Sequence, residues 1–234
     1  MKKADLHNHT LLSPCGSLEM TPKTIVQRAK EMGIDILGIS DHNTTLQVAL
    51  IKELAEREGI FVLQGAEVNT KEEVHCLCFL PSSVELQQFQ TYIDKYLPKI
   101  ANRPGLFGDQ VLINEAEEII YTEKRLLLSA LDQSIDDVAA EVHRLGGLFI
   151  PAHINRKHYG LCTQLGFVPP GLDIDALEIH PSMPKPKLLP EDVYILHNSD
   201  AHHPHEMGQR TNMLDIDDIS FDSIKRAITK WKDA

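Results

Sequence analysis

The chain has 234 residues, 42% hydrophobic and 24% charged, a composition that excludes a disordered or fibrous chain and fits one folded α/β domain. Its 23 Lys and Arg against 34 Asp and Glu leave a net charge of -11 with no basic stripe, which excludes extended duplex binding by phosphate neutralisation. No stretch approaches the ~18 apolar residues of a membrane helix, and the first residues run into a polar, His-rich segment instead of a leader, so a cytoplasmic protein without a membrane partner is expected.

In chain order, Ala4 to Leu6 predicts a strand, Thr21-Pro22 opens a helix carrying Ile25, Val26 and Ala29, and Ile34 to Ile39 predicts a second strand. A helix over Thr45 to Arg57, strands over Phe61 to Val68 and Val74 to Leu80, and a helix over Val84 to Leu97 continue the alternation. Residues 102–124 interrupt it. There Gln110 to Ile113 and Ile119 to Tyr121 flank Asn114-Glu115-Ala116-Glu117, which predicts an inserted hairpin or lid. A helix over Ile135 to Leu145 closed by Gly146-Gly147 follows, then strands at Leu148 to Ala152, Ala176 to Ile179 and Tyr194 to Leu196, and a closing helix over Phe221 to Trp231. Strands separated by helices predict a mainly parallel sheet, open or closed into a barrel, in a single domain spanning residues 1–234.

The 12 histidines are unevenly placed relative to those strands. His7 and His9 follow the first, Asp41 and His42 the second, Glu67 lies near the end of the third, and His153 ends the strand at Leu148 to Ala152. Asp200 and His202 follow the strand at Tyr194 to Leu196. In a parallel barrel these strand ends open onto one face, where side chains from distant positions converge. Residues i and i+2 of an extended segment point the same way, so His-x-His and Asp-x-His each present two ligands together. Imidazole and carboxylate suit zinc, manganese or iron, and this set exceeds what one ion uses; Glu67 is the natural bridge between two or three. His75, one strand on, reaches the same rim. Each group has a plainer role in isolation: His-x-His is incidental, Asp41-His42 caps a helix, Glu67 is a rim charge. Their conjunction at strand ends favours the metal.

The segments Asp5-Leu6-His7-Asn8-His9-Thr10, Ile39-Ser40-Asp41-His42-Asn43, Gly65-Ala66-Glu67-Val68, Pro151-Ala152-His153 and Asn198-Ser199-Asp200-Ala201-His202 resemble the motifs of the polymerase and histidinol phosphatase (PHP) superfamily, in that family's order. The resemblance implies a distorted seven-stranded barrel, a di- or trinuclear metal centre and phosphoesterase activity. By position it assigns His7, His9, Glu67 and Asp200 to one ion, Glu67, His75 and His153 to a second, and His42 and His202 to a third. Many members complete the third shell with a His or Asp shortly after the second histidine of the first motif. Here that stretch is Leu11-Leu12-Ser13-Pro14-Cys15-Gly16, and Cys15 is either a thiolate ligand or a small loop thiol. Of the other three cysteines, Cys76 and Cys78 alternate on a strand face opposite His75 and are expected to pack in the core.

For a phosphate ester, two ions sharing a hydroxide supply the nucleophile, and Asp41 is expected to orient an imidazole or carry a proton, alongside catalytic Glu67 and Asp200. Substrate phosphate calls for further cations. Arg156, three residues after His153, is the first candidate, followed by Arg103 in the insertion and Arg210; His180 is near the rim. The expected function is hydrolysis of a small phosphorylated metabolite or nucleotide. A nuclease trimming short nucleic-acid ends and a non-catalytic metal-binding regulator are the alternatives.

Overall fold

The computed structural model describes residues 1–191 and 193–233. The chain opens with β1 (Lys2–Asp5), α1 (Pro22–Glu31), β2 (Ile36–Ile39), α2 (Val48–Arg57) and β3 (Phe61–Asn69). It continues with β4 (His75–Phe79), α3 (Ser83–Tyr96), α4 (Pro104–Phe107), β5 (Val111–Ile113) and β6 (Ile119–Thr122). Then come α5 (Ile135–Arg144), β7 (Leu148–Pro151), α6 (Leu161–Gln164), β8 (Leu177–Glu178), β9 (Ile195–Leu196), β10 (Asn212–Leu214) and α7 (Phe221–Thr229). Helix starts follow local chemistry: the Thr21, Ser82, Ser134 and Ser220 side chains each accept a first-turn N–H, and Pro22 occupies a position whose N–H needs no partner.

The main sheet has six strands in the order β10-β1-β2-β3-β4-β7, with β8 and β9 as a separate parallel pair. It is less parallel than the strand–helix rhythm implied: β1-β2 and β2-β3 are parallel, whereas β1-β10, β3-β4 and β4-β7 are antiparallel. The reason is the short link from Asn69 to His75. Glu73 takes φ 58 there, and a link of this length can only turn the chain straight back. A closed seven-stranded barrel is not formed by the assigned ladders among the described residues. The sheet nevertheless curls, because Leu214 and Leu148, from its opposite edge strands, enter one buried cluster with Leu6, Ile36, Leu63 and Leu77, closed off by Phe221, Ile224 and Ile228 of α7. The outer face carries Leu37, Val62, Ala66, Cys76, Cys78 and Phe149, covered by apolar residues of α1, α2, α3 and α5. Both cysteines are thus core residues.

The antiparallel turn has a functional consequence. β4 runs opposite to its neighbours, so His75 at its first residue lies at the rim where β3 and β7 end, and pairs with Asn69. β10 escaped the sequence reading. It is a three-residue edge strand with Met213 exposed, too short to show a period. The expected hairpin at residues 102–124 is present as β5 and β6, turned at Glu117 with φ 61. It packs against the loop after β1 and against Gln47. Val111 and Ile113 pack on Leu11, Gln47 bonds both main-chain groups of Ile113, and none of residues 102–124 lines the cavity at the rim.

Candidate metal centre

Main-chain hydrogen bonds bring the distant motifs into register. His9 N donates to Ala201 O at 3.0 Å and Ala201 N to His7 O at 3.2 Å, which locks the first motif to the last. Glu67 N donates to Asp41 O at 3.0 Å and Asn43 N to Glu67 O at 2.9 Å, holding His42 beside Glu67. Ala152 N donates to His75 O at 2.9 Å, placing His153 next to His75. Two of these residues sit in left-handed backbone, His153 at φ 29 and Asp200 at φ 52, a conformation that costs about 1–3 kcal/mol for a non-glycine residue and persists where a site demands it.

Glu67 stands at the centre. Its Oε1 lies 3.1 Å from His75 Nδ1, 3.1 Å from His153 Nε2 and 3.3 Å from His7 Nε2. Its Oε2 lies 3.1 Å from His42 Nδ1 and 3.4 Å from His9 Nε2. Asp200 Oδ1 is 3.3 Å from His7 Nε2 and 3.4 Å from His9 Nε2. The ligand atoms form three overlapping groups, each within 4.8 Å: His7, His9 and Asp200; His42, Glu67 and His75; and His9, Cys15, His42 and His202. The structure therefore brings together every sequence-predicted ligand, His153 through its contact with Glu67, and adds His9 to the group expected from His42, His202 and the candidate Cys15.

Charge fits the same arrangement. Burial alone would raise the Glu67 carboxyl, but His75, His7 and His42 hold it well below the usual carboxylate range. Burial likewise would raise Asp200, and His7, His9 and His153 hold it low. Burial drives His42 well below an ordinary imidazole despite Glu67, and burial reinforced by His202 takes His9 down to about 4, which favours the neutral rings. His42 Nδ1 is buried and makes no hydrogen bond although Glu67 is near, as a ligand atom awaiting a cation would be. Imidazoles and two converging carboxylates suit divalent transition ions, so the residues present fit the metal centre that the motifs implied.

A second layer holds these ligands, and the sequence reading missed most of it. Buried Glu178 of β8 places Oε2 2.9 Å from His7 Nδ1, which fixes the proton there and leaves Nε2 for the cluster. Its only sequence signal was an acid inside the apolar run Leu177 to Ile179. Tyr159 stacks on His75 with centroids 4.3 Å apart. Asp41 does not cap a helix, and of its two expected roles its contacts suit that of orienting an imidazole. α2 begins only at Val48, and the Asp41 carboxylate accepts Thr10 N, Thr10 Oγ1 and Ser13 Oγ, each at 2.7 Å. Ser13 Oγ in turn meets His9 Nδ1 at 3.1 Å and accepts His42 N at 3.0 Å. Asp41 thus acts through Ser13 on His9 and does not face the cavity.

The cluster opens into a cavity of about 430 Å³ whose wall includes Arg156, Lys157, His158, Tyr159 and Met183. Arg156 Nη1 donates to Asp200 Oδ2. Beside Asp200 a smaller hollow of about 160 Å³ is lined by Arg156, His180, Gln209 and Arg210, so three of the four expected substrate-binding residues come together. Burial, then Arg210 and Arg156, lowers the His180 imidazole. Arg103 does not join them. It is exposed at the start of α4, where its carbonyl caps the turn, and it does not line the cavity. A larger hollow of about 530 Å³ near Phe167, Leu172 and Leu188 has no titratable lining group and hence no means of acid–base or metal chemistry.

Residues 5–170 match the PHP domain. The chain belongs to the PHP domain family. Its PHP fold is similar to that of the lesion-specific endonuclease PfuEndoQ of Pyrococcus furiosus, with a TM-score of 0.73 and 22% identity over 98% of this chain and 56% of that one. An endonuclease Q complex with a 27-mer duplex carrying an abasic lesion at its active site gives a TM-score of 0.74 at 22% identity, with the same coverage of 98% and 56%. The 5'-3' exoribonuclease Rnm of Escherichia coli is 41% identical over 73 residues, which are 30% of this chain and 24% of Rnm. The chain thus spans about a quarter of the curated relative and just over half of the solved ones. No helix among the described residues is long and apolar enough to cross a membrane.

Proposed function

We propose that this PHP domain is a metal-dependent phosphoesterase, with His7, His9, His42, Glu67, His75, His153, Asp200 and His202 as the metal ligands. The observation that supports this most strongly is Glu67, whose two oxygens divide five imidazoles between them at 3.1 to 3.4 Å. Two or three divalent ions bound there would acidify a water to give the attacking nucleophile and offset charge on the phosphoryl oxygens. This chain's residues do the rest. Arg156 and Arg210 bind the non-reacting phosphoryl oxygens from the side of Asp200, and His180 between them adds a donor. Arg156 leaves Asp200 to do so, which frees that carboxylate for its two histidines. Glu178 and the Ser13–Asp41 pair keep His7 and His9 aimed at the centre.

The substrate class follows from shape and charge. A cavity of about 430 Å³ accommodates one nucleotide-sized ester. The net charge of -11 opposes a long polyanion lying across the surface. A small phosphorylated metabolite, or the terminal nucleotide of a short strand, is therefore the favoured substrate. The end-trimming nuclease reading draws specific support from the stretch shared with Rnm, an exoribonuclease, and from the fold shared with endonuclease Q, whose complex holds a duplex. Hydrolysis of an aryl phosphate, of nucleoside mono- and bisphosphates and of 5'-phosphorylated oligonucleotides by manganese- or zinc-loaded protein tests the proposal. Release of phosphate or mononucleotide is expected. Full metal content with no turnover on any ester would favour a regulatory protein instead.

A further inference from the structure

Of the fourteen large apolar side chains exposed among the described residues, five fall within residues 100–121: Ile100, Leu106, Ile119, Ile120 and Tyr121. Three of these are consecutive in β6, where Ile119 is 63%, Ile120 60% and Tyr121 44% exposed, and Thr122 is exposed beside them. The strand therefore buries neither of its faces. It has β5 on one side and, among the described residues, no strand along Ile119–Thr122 on the other. An apolar strand with a free edge invites association, and a patch of this kind marks an interaction surface. Charge says what fits it. Glu118 and Lys124, both exposed, lie three residues to either side of Tyr121. Glu117 extends the acidic end, and Arg103 is brought to the basic end because Asn102 N donates to Lys124 O at 2.7 Å. With exposed Lys99 these two cations outweigh Asp109 across the hairpin. None of Arg103, Glu117, Glu118 and Lys124 has an ion-pair partner among the described residues, whereas Arg125 is already held by Glu123 and Asp94.

We propose that β6 is the contact surface of a homodimer, in which two copies of the chain pack with these strands antiparallel about a two-fold axis at Tyr121. The occupant is a second copy because the surface is complementary to itself. Reversing one strand against the other sets the acidic end of each protomer, Glu117 and Glu118, on the basic end of its partner, and a two-fold axis makes this pairing twice. Ile119, Ile120 and Tyr121 then cover their counterparts and leave water. A net charge of -11 per chain opposes association through a surface that lacks such local pairing. Residues 102–124 do not line the cavity, so the dimer leaves the metal centre open, and the inference stands apart from the phosphoesterase reading.

Sedimentation of the full chain over the micromolar range tests this. The wild type is expected to be a dimer and Ile120→Asp, a change at an exposed position that the fold tolerates, a monomer. Glu118→Lys and Lys124→Glu each set like charges together and are expected to weaken the dimer by at least about 10-fold in Kd. The double variant carrying both exchanges the two ends and is expected to regain the dimer, which keeps the test decisive even if Ile120→Asp should fail to fold. A wild type that stays monomeric, a dimer that survives in folded Ile120→Asp, or a double variant no tighter than either single one would overturn the proposal. So would a monomer whose tyrosine fluorescence is quenched by a single-stranded oligonucleotide and is no longer quenched in Tyr121→Ala, since the strand would then serve nucleic acid.

Discussion

Nδ1 of His7 stands 2.9 Å from Oε2 of Glu178, both side chains buried, across 171 positions of sequence. A carboxylate on the far side of an imidazole sets which nitrogen carries the proton and raises the basicity of the other. Burial alone would lower His7, yet Glu178, Asp200 and Glu67 together hold it well above an ordinary imidazole. Replacing Glu178 with Gln keeps the shape and removes the charge. The expected result is metal affinity weakened by about 10–100-fold, read by competition with a chelator. Unchanged affinity would remove Glu178 from the centre.

Glu67→Gln is expected to do more. A ligand shared by two groups of imidazoles contributes directly, so its loss should cost more than the ~10–100-fold of an outer partner and should abolish turnover. Metal content by plasma mass spectrometry and hydrolysis of an aryl phosphate check both parts. Near-normal activity with full metal would reject the bridging role.

Arg156→Ala and Arg210→Ala are expected to raise KM for phosphate esters by about 10–100-fold each, the worth of a charge-assisted hydrogen bond of roughly 1.5–3 kcal/mol. Arg103→Ala, exposed on the insertion, should leave kcat and KM as they were. Steady-state kinetics on one substrate separate the three. An Arg156 variant with unaltered constants would take that residue out of the phosphate site.

Away from the centre, buried Asp175 accepts Phe149 N at 2.7 Å, His143 Nε2 at 2.8 Å and Lys232 Nζ at 3.0 Å. Burial would raise its carboxyl, but the His143 and Phe149 hydrogen bonds and the charges of His143 and Lys232 hold it below the usual value. A folded-state pKa below the unfolded one adds stability that is complete above the unfolded value of about 3.9 and fades as pH falls through the folded one. Asp175→Asn should therefore destabilise by about 1–3 kcal/mol at pH 7 and by less at pH 3. Urea unfolding at the two pH values reads the difference, and an equal loss at both would contradict it.

The candidate ligands were legible in the sequence because each falls one to six residues past the end of an apolar run, as His7, His9, His42, His153, Asp200 and His202 do. Glu178 was not, since a lone acid in a two-residue strand has no period to reveal its direction. Asp41 shows the same limit from the other side. Its place beside His42 was plain, but whether its oxygens face the cavity or Thr10 and Ser13 depends on the fold of a loop 28 residues upstream. The turn that reverses β4 carries Thr70-Lys71-Glu72-Glu73 and no glycine, so the shortness of the link was the one mark of the antiparallel sense at His75, and the strand–helix rhythm masked it. Arg103, which lines neither hollow, shows a related limit: an insertion's packing surface, here Val111 and Ile113 on Leu11, is set by tertiary contacts.

The measurement that bears most directly on the account is anomalous scattering from crystals of the zinc- or manganese-loaded protein, collected at the absorption edge of the metal. Two or three peaks are predicted around the Glu67 carboxylate, each touched by at least three of the side chains named above. Crystals soaked in excess metal with no peak between Glu67, His42 and Asp200 would contradict it.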